Sequence, residues 1–160
     1  KKVEFTNYQQ ARYFAGDWLE EYAWLCAQDI GLEEVGCNVH FSNTRGDKQD
    51  QLANNELDLV VVHANAMMAV ECKAATAAQK DSESQNMFHK LSGVANRAGG
   101  LMCSKLFLSA FPLTYKNGAD IASLNHAREQ GINILHSTDL KYLTQVFESW
   151  RDTSRVSRPH

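Results

Sequence analysis

Two carboxylates and a lysine stand at the ends of two neighbouring apolar runs in this sequence. The first run, residues 57–62, is rich in valine and carries Asp58, and the second, residues 67–70, leads into Glu71 and Lys73. Continuous apolar runs of this length are typical of strands buried on both faces of a sheet. Charges at the ends of such strands are costly unless they are paired or bind a metal. The pattern therefore indicates either an ion-paired strand end or a metal centre.

A hairpin that turns at residues 64–65 would bring these charges together. In that register Asp58 lies opposite Glu71. Glu56 then lies opposite Lys73, and all four side chains point to one face because side chains alternate along a strand. Opposed side chains have Cβ atoms roughly 5 Å apart, so the two carboxylates repel each other unless a cation lies between them. Carboxylate oxygens suit Mg²⁺ or Mn²⁺, whereas a three-residue turn would break the alignment.

Size and composition are those of one ordinary domain. The chain has 160 residues and a net charge of −3, which argues against a nucleic-acid binder that works through bulk charge but leaves a nuclease with a bound metal open. No apolar run is long enough to cross a membrane, and the N-terminus has no apolar signal segment and no initiator Met. The four cysteines have no C-x-x-C spacing, so we expect reduced thiols and a cytoplasmic location. The histidines are dispersed, and we expect structural or surface roles for them.

Apolar periodicity predicts the order α-β-β-β-α-β-α-β-α, that is, an α/β fold with a mixed sheet flanked by helices. We expect a single domain over residues 1–150 and a flexible tail over 151–160. The first helix is capped by Thr6 or Asn7. The last begins at Thr138 or Asp139 and ends near Trp150. The predicted elements are helix 8–29, strand 35–41, loop 42–55, hairpin 56–74, helix 85–97, strand 105–110, helix 119–130, strand 132–135 and the last helix.

The first helix carries a predicted apolar stripe and two adjacent glutamates. On a helical wheel Glu20 lies nearly opposite the stripe, and Glu21 lies on its flank. The stripe consists of Ala11, Phe14, Ala15, Trp18, Tyr22, Leu25 and Cys26.

These motifs, taken in order, resemble the PD-(D/E)xK nuclease superfamily. The resemblance rests on Gly16-x-x-x-Glu20 in the first helix, Glu56-Leu57-Asp58, and Glu71-Cys72-Lys73 in the following strand. It covers residues 13–110 and implies a restriction-endonuclease-like αβββαβ core, here with a C-terminal αβα extension. The sequences around residues 12–22 and 99–105 are similar to the C-terminal nuclease domains of CRISPR-ancillary effectors that carry a CARF sensor domain.

The resemblance implies a role for each matched residue. Asp58, Glu71 and the backbone carbonyl of Cys72 would bind Mg²⁺ or Mn²⁺. Lys73 would position the attacking water and stabilise charge on the phosphate. Glu20 would complete the site, with Glu21 in reserve. In the helix after Lys73, Lys90 falls where the superfamily places a further polar residue. Lys90, Arg97 and Lys48 are candidates for contact with the substrate backbone, although a plain surface charge is the simpler interpretation of each.

The resemblance also implies partners. The substrate would be DNA, RNA or both, and a homodimer is expected. In these effectors an N-terminal sensor domain, absent from this sequence, binds cyclic oligoadenylate and switches on cleavage in antiviral defence. Two alternatives stay open: a restriction or Holliday-junction-resolving nuclease of the same fold, and a catalytically silent nucleic-acid-binding module.

Overall fold

The computed structural model describes residues 6–41, 56–74, 81–100, 103–114 and 121–156. The predicted loop 42–55 and the first residues of the predicted helix 119–130 lie outside these ranges. No helix within them is long and apolar enough to cross a membrane.

Five strands form one mixed sheet, and their bounds are β1 (Glu34–His40), β2 (Glu56–His63), β3 (Ala66–Lys73), β4 (Ser104–Ser109) and β5 (Ile132–His136). They lie in the order β1-β2-β3-β4-β5. The first three pair antiparallel, and β4 and β5 are added in parallel. Parallel neighbours need crossover connections, and the chain supplies a helix before each of them. The predicted α/β class with a mixed sheet is confirmed.

Helices cover both faces of the sheet. The helical elements are α1 (Tyr8–Arg12), a π-helical turn (Tyr13–Asp17), α2 (Trp18–Gln28), α3 (Asp81–Gly99), α4 (Ser123–Glu129), a 3-10 helix (Ser137–Tyr142) and α5 (Leu143–Val156). One apolar layer packs α2 and α5 against β2 and β3 through residues such as Leu19, Val61 and Phe147. The other packs α3 and α4 against the opposite face and includes Phe88 and Phe107.

The turn of the central hairpin has the predicted length of two residues. Ala64 and Asn65 both have positive φ, 52° and 61°, as a two-residue hairpin loop requires for its twist to match that of the strands. Leu59 therefore faces Val70, and the register continues to the pair nearest the turn, His63 and Ala66.

The predicted apolar stripe of the first helix is only partly correct. Phe14 is 69% exposed and Leu25 is 48% exposed. The buried side chains of α2 are Leu19, Ala23, Cys26 and Ala27. The π-helical turn that precedes α2 has a wider spacing than an α-helix, so side chains beyond it are rotated relative to a wheel drawn for a straight α-helix. Asn7 caps the helix, with its side chain accepting a hydrogen bond from the Gln10 N–H.

The C-terminal boundary differs from the prediction. Thr138 and Asp139 lie inside the 3-10 helix, so neither begins the last α-helix. That helix runs to Val156, beyond the predicted end near Trp150. Arg151 explains the extension, since its guanidinium donates a hydrogen bond to the Ile30 carbonyl and ties the helix to the end of α2.

Candidate active site

Asp58 lies where the β2–β3 pairing ends. Its Oδ2 accepts a hydrogen bond of 2.6 Å from the backbone N–H of Cys72, so a side chain takes the place that a backbone carbonyl occupies elsewhere in a ladder. Burial raises the pKa of Asp58, while the Cys72 N–H and the charge of Lys73 act in the opposite direction. The carboxylate is thus held in a fixed orientation at the end of the hairpin.

Strand β2 changes its orientation at Asp58. Leu57 belongs to the apolar layer of α3 and α4, whereas Leu59 belongs to the layer of α2 and α5. In a regular strand two such residues share a face. On the neighbouring strand Asn38 has a φ of 50°, so both strands are distorted at this level of the sheet.

The sequence predicted that Glu56 faces Lys73 across the hairpin. That prediction is wrong, because the strand is distorted at this level. Instead Glu56 pairs with His40 of β1, and its Oε1 lies 3.8 Å from His40 Nε2. Its charge contributes to raising the pKa of Glu20 and of Asp58. Glu56 therefore lies beside the site without pairing to its lysine.

Glu71 is the most deeply buried charged residue of the site, with an exposure of 2%. Burial, and then the charge of Asp58, raises its pKa to about 7. Two lysines oppose this shift. Lys90 Nζ lies 3.3 and 3.4 Å from the two carboxylate oxygens, and Lys73 Nζ lies 3.9 Å from Oε1. Burial outweighs both cations, as expected for a carboxylate removed from water.

Lys90 is brought to this carboxylate by helix α3. The sequence singled it out only through the family resemblance, and a plain surface charge was the simpler interpretation. Its contact with Glu71 shows that it belongs to the charged cluster. Arg97, on the same helix, is exposed, and Lys48 lies outside the described residues.

Glu20, not Glu21, faces the central hairpin from α2. Burial first, and then the charges of Asp58, Asp17 and Glu56, raises the pKa of Glu20 to about 7. Glu21 is exposed, and its carboxylate raises the pKa of the Tyr13 hydroxyl. The helical wheel pointed the other way because it was drawn on the wrong apolar stripe.

Asp17 was missed by the sequence interpretation. It lies one helical turn before Glu20, a spacing at which side chains are neighbours. The i, i+3 spacing from Glu20 was the feature of the sequence that could have pointed to Asp17.

Oxygen donors are grouped at this end of the hairpin. Among the described residues, no three His, Cys, Asp or Glu side chains converge closely enough to hold a metal ion by themselves. The charge of Asp58 disfavours ionisation of Glu71, and Cys72, the residue after Glu71, donates its backbone N–H to Asp58. The Cys72 thiol is buried, and burial raises its pKa well above the ordinary value. A neutral, buried thiol is no metal ligand, so the available donors are oxygens, which suit Mg²⁺ or Mn²⁺.

The cysteines are all free thiols, as the sequence predicts.

A family model described as "Card1-like, endonuclease domain" matches residues 7–154. No curated protein matches the chain.

Proposed function

The chain belongs to the Card1-like endonuclease domain family, and from this we propose that it is a metal-dependent nuclease that hydrolyses phosphodiester bonds of DNA, RNA or both. The observation that carries the proposal is the grouping of Asp58 and Glu71 with two lysines at one end of the central hairpin. Two carboxylates supply oxygen ligands for a divalent metal, and the cations beside them supply positive charge for a phosphate.

Asp58, Glu71 and the Cys72 carbonyl would hold Mg²⁺ or Mn²⁺. A metal bound there would supply charge neutralisation at the phosphate and a water of lowered pKa. The hydrogen bond from the Cys72 N–H to Asp58 fixes two of the proposed metal ligands, the Asp58 carboxylate and the Cys72 carbonyl, relative to each other. That contact reduces the motion that ligand binding would otherwise have to freeze.

The two lysines have different positions and therefore different proposed roles. Lys90 contacts both oxygens of Glu71, so we assign it the positioning of that carboxylate. Lys73 makes only a longer contact with Glu71, 3.9 Å, so its ammonium is less closely held and can reach a phosphate oxygen. We assign Lys73 the stabilisation of negative charge on the phosphate during hydrolysis.

Glu20 is the group best suited to exchange a proton near neutral pH. Its pKa of about 7 matches the range in which a general acid or base works most efficiently. It approaches Asp58 from α2, and we assign it a supporting role in binding or proton transfer at the same centre.

We further infer that the domain is the effector part of a CRISPR-associated nuclease that acts in antiviral defence. A sensor domain elsewhere in the full protein would bind cyclic oligoadenylate and switch cleavage on, and the active form would be a homodimer. The support is the family match together with the motif resemblance over residues 12–22 and 99–105. Adding cyclic oligoadenylate to the full-length protein, with cleavage as the readout, tests this part separately.

The decisive experiment is cleavage of plasmid DNA, single-stranded DNA and RNA in Mn²⁺ by wild type, Glu71→Gln and Glu34→Gln. Glu34 is an exposed glutamate paired with Val62, near the turn end of β2 and away from Asp58, so its variant is the matched control. We expect cleavage by wild type and Glu34→Gln, and loss of cleavage in Glu71→Gln and in chelator. Activity that survives both changes would refute the metal site. Binding of nucleic acid without any cleavage would favour a silent module, and selective cutting of four-way junctions would favour a resolvase.

A further inference from the structure

A groove next to the candidate active site has, apart from Glu20, no part in the roles assigned so far. It runs along the first helical segment, with β1 as its opposite wall, and has a volume of about 270 Å³. This is close to the lower end of the roughly 300–1,000 Å³ typical of small-molecule pockets. Glu20 belongs both to its wall and to the neighbourhood of Asp58, so the groove opens beside the proposed reaction centre. Its lining residues are Arg12, Tyr13, Asp17, Glu20, Glu21, Trp24, Cys37 and Asn38.

Two aromatic side chains line this groove. Tyr13 is 45% exposed, and the nearby Glu21 carboxylate raises the pKa of its hydroxyl. Its ring lies edge-to-face with that of Phe14, with ring centroids 6.2 Å apart. Trp24 lies further along the helix and is half-buried against the core. Tyr13 is thus an exposed aromatic ring at the groove, as a stacking platform for a base requires.

The charge of the groove excludes a phosphate as its main occupant. Three carboxylates face a single cation, and Arg12 is already paired with Asp17 at 3.2 Å. A phosphate placed here would be repelled. The amino edge of a nucleobase would be attracted, because carboxylates accept hydrogen bonds from exocyclic amino groups such as N4 of cytosine.

The π-helical turn explains how the groove arises. It spans Tyr13–Asp17, and such turns often occur at functional sites. The wider turn places Tyr13 and Asp17 on the side that faces β1, where Cys37 and Asn38 close the groove.

We propose that this groove is a subsite for one unpaired nucleobase of the substrate strand, stacked on Tyr13 and selected for an exocyclic amino group by Glu21. The inference rests on the proposed nuclease function and adds a base preference to it. Adenine, cytosine and guanine carry such a group, whereas thymine and uracil do not.

The test uses a short oligothymidine that carries one 2-aminopurine, a fluorescent base with an exocyclic amino group. Binding is measured by quenching, in a Glu71→Gln background so that the strand stays intact. We expect quenching with this protein and roughly 5- to 100-fold weaker binding after Tyr13→Ala, the range for loss of one stacking contact. Tyr13→Phe should keep most of the binding because the ring remains. Tyr142→Ala is the matched control, since Tyr142 is 50% exposed on the 3-10 helix outside the groove.

Competition separates base recognition from backbone binding. Oligodeoxycytidine should displace the probe better than oligothymidine of equal length and charge. Glu21→Gln should narrow that difference, because an amide can also donate to the thymine carbonyls. The proposal is overturned if the wild-type groove gives no quenching, if Tyr13→Ala and Tyr142→Ala behave alike, or if oligothymidine competes as well as oligodeoxycytidine. If any of these three results occurs while Glu71→Gln still abolishes cleavage, only the proposed subsite is wrong. If quenching behaves as expected but wild type cleaves nothing, only the nuclease function fails.

Discussion

The carboxylate of Asp58 accepts a hydrogen bond of 2.6 Å from the backbone N–H of Cys72. Cys72 lies between Glu71 and Lys73, the two charged residues of β3. A proposed metal ligand on one strand is therefore bound directly to the backbone of the strand that carries Glu71 and Lys73. Because hydrogen bonds to an ionised group are stronger than neutral ones, this contact holds the end of the hairpin together where the regular pairing has stopped. The carboxylates are kept close to each other although each one raises the cost of ionising its neighbour.

The cost of ionising Glu71 makes the stability of the folded protein depend on pH. The pKa of Glu71 is about 7 in the folded protein against an ordinary value of 4.5, so the folded state holds this proton more tightly than the unfolded chain. The stabilisation is fully present below about pH 4.5 and is lost as pH rises through about 7. Without divalent metal, we expect the free energy of unfolding to fall over this window, at about 1.4 kcal/mol per unit of pKa shift.

Glu71→Gln should make this pH dependence smaller, because an amide does not titrate. The measurement is urea unfolding from pH 4.5 to 8 with chelator present. Glu34→Gln should retain the wild-type profile. Glu20, whose pKa is also about 7, should leave a residual slope in the Glu71 variant. Identical profiles for wild type and Glu71→Gln would contradict this account of the buried carboxylate.

Binding of Mn²⁺ should stabilise the folded protein through Asp58. A ligand that binds only the folded state adds about 2.7 kcal/mol at a hundred times its dissociation constant. We expect Mn²⁺ to raise the melting temperature of wild type, and chelator to reverse the rise. Asp58→Asn should abolish it, whereas Asp139→Asn, at an exposed aspartate of the 3-10 helix, should not. An equal rise in both variants would place the metal elsewhere.

The two lysines should be separable by the pH profile of cleavage. Both lower the pKa of Glu71, and Lys90 has the larger effect. Lys90→Met should therefore move the acid limb of the profile to higher pH, by more than Lys73→Met does. Lys73→Met should instead reduce the maximal rate, by roughly 100- to 1,000-fold, as loss of a group that stabilises transition-state charge typically does. Lys141→Met, at an exposed lysine, is the control. The assigned roles would be wrong if the two variants exchanged these effects.

Two glycines of α3 offer a matched pair for packing. A Cβ on Gly99 would lie 2.8 Å from Cys103 Cβ and 2.9 Å from Met67 Cε, whereas one on Gly93 meets nothing within 4 Å. Gly99→Ala should destabilise the protein by about 1–3 kcal/mol through overpacking. Gly93→Ala should stabilise it by about 0.5–1 kcal/mol, the difference in helix propensity. Thermal unfolding of both variants measures this, and a stabilising Gly99→Ala would show that the helix end can shift away from Cys103.

The hairpin and the order of strands along the chain could be predicted because they depend on local sequence patterns. Apolar runs of strand length mark β2 and β3, and the two-residue turn at Ala64 and Asn65 sets their register. The placement of Asp58 and Glu71 at the same end of the hairpin follows from that register alone. The family resemblance added Lys90, which no periodicity would have selected.

The environment of each charge depended on contacts between residues far apart in sequence. Glu20 of α2 lies near enough to Asp58 for that charge to raise its pKa, and a π-helical turn precedes α2. Where β1 and β2 are distorted, Glu56 contacts His40. Pattern analysis assumes regular helices and strands, and neither irregularity has a marker in residue type. The sequence by itself thus determined which strands carry the carboxylates and where they end. Only the tertiary structure decided which charges meet, because burial and pairing energies arise from packing between separate elements.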